Sequence, residues 1–156
     1  MSSFTNGLAF KQAIFEATKT IMQADEATAD VYVCPGTPGT YKPADIISFG
    51  RLSVAQAPAN LGTRRSREET LTVEVTLSCF IGGDDSGELP SQVRAFELLG
   101  LIERHVRVTD TTLGGVVRHC FLTNVETDGA TPEEYTAQGR AVDVVATFTA
   151  QNRVTE

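Results

Sequence analysis

The chain has 156 residues, 41% of them hydrophobic and 21% charged, with a net charge of −7. That length fits one domain spanning residues 1–156, large enough to bury a core without a disulfide or metal staple. The acidic balance excludes a general nucleic-acid binder, which needs a basic stripe to release counterions from phosphates.

From the N-terminus, residues 8–24 place Phe10, Ala13, Ile14, Ala17 and Ile21 at helical spacing, with Lys11, Glu16 and Lys19 off that stripe, and predict an amphipathic helix. Lys11 and Glu16 also interrupt the apolar stretch, so it lacks the continuous core of a signal peptide. No run approaches the roughly 18 apolar residues needed to span a bilayer. Residues 29–34 alternate at Val31 and Val33 and predict a short strand. It stops at 34–45, where three prolines and two glycines exclude helix and ladder.

Residues 46–54 predict a second strand, interrupted by Gly50, and 55–69 show no period and predict a mobile loop. The clearest element is 69–81. Leu71, Val73, Val75, Leu77, Cys79 and Ile81 point one way, and Thr70, Thr72, Glu74, Thr76 and Ser78 the other, giving a long strand with one wet face. A polar turn, 82–90, leads to a helix over 91–108 with Ser91 as its N-cap and Val93, Phe96, Leu99, Ile102 and Val106 on its buried stripe. That helix is apolar around much of its girth, which suits packing on a sheet and on a neighbouring subunit. A strand over 116–127, a hairpin loop over 128–139 and a closing strand over 140–153 complete the order. The expected fold is α+β: a single domain with a mostly antiparallel or mixed sheet, two main helices packed on one side, and long loops.

The stretch DTTLGGVVRHC, residues 110–120, gathers an acid, two hydroxyls, a glycine pair, a histidine and a cysteine. Its glycine pair follows a helix, precedes a strand and has no lysine after it, the reverse of a phosphate-binding loop. His119 and Cys120 are neighbours on a predicted strand, so they project to opposite faces and cannot form a nucleophile–base pair. His105 falls near a helix C-terminus, where a cation suits the dipole. Cys34, Cys79 and Cys120 are odd in number and widely spaced, which predicts buried free thiols in a reducing compartment. Asp84, Asp85 and Glu88 lack the spacing of a calcium loop. The expectation is no catalytic residue, no cofactor and no metal. Leu113 is expected to anchor a turn in the core while Gly114 and Gly115 supply its backbone angles.

The order of elements, the long Thr/Val strand ending in Gly82-Gly83, AFELLGLIERHV (95–106), DTTLGGVV (110–117) and the closing AQGRAVDVVATFTAQNR (137–153) together resemble the tail terminator family of long-tailed bacteriophages. The resemblance spans roughly residues 8–153 and lies in pattern and order. It implies a homohexameric ring that caps the tail tube, stops its polymerisation and offers a docking face to the head-completion or stopper protein. It also implies that genomic DNA passes through the lumen without specific binding, and that the protein resides in the virion tail or neck after assembly in the host cytoplasm. A head–tail connector, stopper or other tail-completion protein shares the layout. A small-molecule-binding or enzymatic α+β domain would instead show a pocket with converging polar groups near His119 or Cys120.

Arg64, Arg65 and Arg67 form the one basic cluster in the long loop. They read either as a solvated face or as partners for acids on an adjacent subunit or the tube, with Asp84, Asp85 and Glu88 as candidates. A cyclic ring uses head-to-tail interfaces, which join unlike patches.

Overall fold

The computed structural model describes residues 4–40, 42–59 and 65–155. Helix α1 spans Gly7–Gln23, strand β1 Tyr32–Cys34, β2 Asp45–Pro58, β3 Arg67–Gly82, helix α2 Glu88–Arg104, β4 His119–Thr127 and β5 Gly139–Val154. The strands form one five-stranded sheet in the order β1-β2-β3-β5-β4. β1 pairs parallel with β2, and every other neighbour is antiparallel. The fold is α+β with a mixed sheet.

β3 and β5 make the spine, paired without interruption from Arg67↔Val154 to Gly82↔Gly139. Their inward rows, Leu71, Val73, Val75 and Leu77 with Val142, Val144, Ala146 and Phe148, are each 3% exposed or less. Both helices cover that one face. Phe10, Ile14 and Met22 from α1 and Ala95, Leu98, Leu99 and Ile102 from α2 complete a single core cluster. Phe15 of α1 meets Phe49 of β2 edge-on, ring centroids 5.9 Å apart. Thr18 is fully buried within α1, where its hydroxyl donates to the Ile14 carbonyl at 2.8 Å. The opposite sheet face carries Thr70, Thr72, Thr76, Thr147 and Thr149, half-buried and uncovered by any described element.

Four expectations are corrected. Residues 55–69 are not one loop: β2 runs on to Pro58 and β3 begins at Arg67, with Ala59 N–H donating to the Ser66 carbonyl at 2.8 Å. The far half of β2 is exposed on both faces, so it carries no apolar alternation and is held by its ladder to β3. Gly50 does interrupt the strand, as a bulge in which Gly50 and Arg51 oppose Glu74 alone.

Helix α2 begins at Glu88, so Ser91 is no cap; it is fully buried and donates to the Glu88 carbonyl. The entry is set by a short turn at Asp85–Gly87, capped by the Asp84 carboxylate, which accepts from Ser86 N–H at 3.0 Å. The buried stripe of α2 is Ser91, Ala95, Leu98, Leu99 and Ile102, and Val93 and Phe96 are 47% and 46% exposed. Small residues at 91 and 95 let the helix lie close to the sheet, which turns the larger pair outward. The last turn widens into a π-helical turn, His105–Thr109, that buries Val106 and leaves Val108 exposed. Finally, β4 starts at His119, because residues 111–118 are turns and bends.

Two sheet edges are open. β1 pairs only with Ile46–Ser48, so the outer edge of β2 from Phe49 to Pro58 meets no strand among the described residues. β4 forms the other border of the sheet.

Candidate functional site

The residues with chemical potential are kept apart by the fold. His119 and Cys120 project to opposite faces: the imidazole lies 5.3 Å from the Phe121 ring on the open face, while Cys120 is 1% exposed in the core. Burial, with the Asp45 carboxylate nearby, pushes the Cys79 thiol up to about 12, and burial alone does the same for Cys120. Burial also raises Cys34, against a backbone hydrogen bond from Gly36. At pH 8 a thiol of pKa about 12 is ionised in about one molecule in ten thousand. Native protein treated with iodoacetamide at that pH should therefore keep the Cys79 and Cys120 thiols, and denaturant should release them together. Rapid native alkylation of Cys79 or Cys120 would contradict this placement. Among the described residues, no group of three or more His, Cys, Asp or Glu side chains is arranged to hold a metal ion.

The DTTLGGVV stretch is a turn whose polar groups serve its own backbone. Asp110 accepts from Gly114 N–H and Thr112 Oγ1 from Gly115 N–H, each at 3.1 Å. Leu113, Gly114 and Gly115 all lie in the left-handed region, at φ 48°, 71° and 88°. Leucine there costs about 1 kcal/mol. Its side chain, 4% exposed, offsets that strain by burial in the core. Asn6 ties the turn to the start of α1 through a 2.8 Å bond to the Val116 carbonyl.

A second cluster escaped sequence reasoning. Glu69 is 1% exposed, at the end of the inward row of β3. Its carboxylate accepts from Thr5 Oγ1 and Asn6 N–H at 2.8 Å, Gln56 Nε2 at 3.0 Å and Asn152 Nδ2 at 3.1 Å. Burial raises its pKa, but the bonds from Gln56, Asn6, Asn152 and Thr5 outweigh burial and hold it below its ordinary value. Glu69 shares the odd-numbered parity of Leu71 to Cys79, and that was the available signal.

The charged candidates occupy opposite ends of the sheet. Arg67 opens β3, and the acidic turn follows Gly82 at its far end, about 50 Å away at roughly 3.4 Å per residue. At the first end Arg65 is exposed, Arg67 has a buried Nε with no hydrogen-bond partner, and Arg64 lies outside the described residues. Arg118 and Arg153 flank Glu68 there, at 3.1 and 2.5 Å. At the other end stand Asp84 and Asp85, with Asp128, Glu133 and Glu134 of the β4–β5 loop. Hydrogen bonds from Ser86 hold Asp84 below its ordinary pKa.

Glu88 is committed within its own chain. It pairs with Arg140 at 3.0 Å and accepts from Thr131 N–H at 2.7 Å, stapling the start of α2 to the β4–β5 loop. Helix α2 runs with the same polarity, Glu88 in its first turn and Arg104 in its last, as its dipole favours. Along its outer side Leu89, Val93 and Phe96 are 67%, 47% and 46% exposed. No described helix is long and apolar enough to cross a membrane.

No protein-family model and no curated protein matches this chain in sequence. Among solved structures, a chain from the virion of a native gene transfer agent particle superposes with a TM-score of 0.46 at 12% identity, covering 93% of this chain and 96% of that one.

Proposed function

We propose that this chain is a virion assembly subunit of tail-terminator type. It forms a ring, hexameric by resemblance, that caps the tail tube, halts its polymerisation and presents its other side to a head-completion protein. The observation that carries the reading is the polarity of the sheet: one rigid spine holds a basic tip, Arg65 and Arg67, at one end and an acidic turn, Asp84 and Asp85, at the other. A coupling piece between two different axial partners needs two unlike docking ends, and charge complementarity steers each encounter. Within this reading Arg64 belongs to the basic tip, and Glu88 acts by fixing α2 rather than by touching a partner. DNA passes through the lumen unbound, for which the net charge of −7 is suited.

The test is tube growth in vitro. Polymerising tube subunits should stop elongating when the protein is added, with rings visible at tube ends by electron microscopy. Tubes that elongate at an unchanged rate, with the protein bound only to head connectors, would instead identify a connector or stopper.

A further inference from the structure

We infer that copies of this chain join edge to edge, the outer edge of β2 over Arg51–Pro58 in one copy pairing antiparallel with the outer edge of β4 in the next. Three observations support this. Strand direction alternates without exception through β2, β3, β5 and β4. A rotation about an axis running along the strands preserves direction, so β4 of one copy meets β2 of the next antiparallel, continuing the same alternation.

The middle of the β2 edge, between the Gly50–Arg51 bulge and Pro58, is also undefended. Soluble proteins blunt free edges with charges or proline, yet Leu52 to Ala57, LSVAQA, contains neither, and Pro58 comes only at its end.

Third, one register matches the two edges in charge, size and face. Placing Arg51 opposite Glu126 sets Leu52 against Val125, both facing the core side, and Ser53 against Asn124 on the open face. The β4 irregularity between Leu122 and Asn124 then takes up Thr123, setting Val54 against Leu122 and Ala55 against Phe121. Phe121 is 50% exposed and meets a small side chain across the seam, and Val54, 41% exposed, gains an apolar neighbour. The seam rests on the ring reading only for its closure; pairing of two copies is testable alone.

Ser53 decides the chemistry of the test. The Ala59–Ser66 bond sets the phase of the β2–β3 ladder, so Ser53 bonds inward to β3 and faces its outer neighbour as a non-hydrogen-bonded pair. Such pairs hold Cα atoms about 4.5 Å apart, within disulfide reach. The native cysteines are all buried and do not interfere. The full chain carrying Ser53→Cys with Asn124→Cys should, on mild oxidation, give a ladder of covalent oligomers on non-reducing gels, while either single variant gives at most dimers. Ala55→Lys, at an exposed edge position that leaves the fold intact, should weaken self-association about tenfold or more by native mass spectrometry. Rings that form without cross-linking, or a double variant that stays monomeric, overturn edge pairing. A ladder from a protein that fails to stop tube growth upholds the pairing and removes the terminator reading.

Discussion

Replacing Glu69 by alanine is expected to lower unfolding free energy by about 3 kcal/mol, with a Tm roughly 10 °C lower for a domain of this size. The loss comes less from the carboxylate than from what it leaves behind. The Thr5 hydroxyl, the Asn6 N–H and the Gln56 and Asn152 amides all aim at a point that is 1% exposed, where water cannot replace the acceptor. The same carboxyl makes stability depend on pH. Its folded pKa lies below the ordinary 4.5, so its contribution is complete well above pH 4.5 and is lost as pH falls through the folded value. Glu69→Gln keeps one acceptor oxygen but brings an amide against the Gln56 and Asn152 donors. It should cost about 1–2 kcal/mol at pH 7 and flatten the acid limb of the stability curve. Urea titrations from pH 3 to 7 measure both; a glutamine variant with an unchanged acid limb would remove Glu69 as the cause.

Gly139→Ala is the second large effect. Gly139 opens β5 at φ 155°, opposite Gly82, and an added Cβ would stand 2.5 Å from the Ile81 carbonyl oxygen and 2.7 Å from the Phe80 ring. The first contact is with backbone, so relief requires the two spine strands to part at their acidic end. A loss of about 2–3 kcal/mol is expected. Gly36→Ala, at a site with open space and no positive φ, is the control and should change stability by less than about 0.5 kcal/mol. Equal denaturation midpoints for the two variants would show that the ladder end has slack.

These two positions mark the limit of what the residues disclosed in advance. α1 and the inward rows of β3 and β5 were legible because each buries one face, and burial imposes a period on composition. The far half of β2 was not, since Ser53, Ala55 and Ala57 answer to backbone pairing, which leaves no apolar signature. α2 was half legible. Its apolar residues encircle it, so spacing located the helix without choosing between the Leu98–Ile102 face and the Val93–Phe96 face. Glu69 stands beside Glu68 in sequence, yet the two carboxylates point to opposite faces, and only the neighbouring strands decide which one finds donors. The basic and acidic clusters were visible as compositions, but their separation along β3 required the strand to be known as continuous.

The strand order also bears on when the molecule can form during synthesis. Among the described strands β5 comes last in sequence, yet it sits between β3 and β4, and β4 has no other partner in the described sheet. Until residues 139–154 leave the ribosome, β3 lacks one neighbour and β4 lacks its ladder, so the nascent chain holds a β2–β3 hairpin and helical segments without a closed core. Folding is therefore dominated by contacts distant in sequence and waits for residues 139–154. The β4 border of the sheet comes into being only once β5 is in place, so a partly made chain offers the β2 edge without the β4 edge that would pair with it.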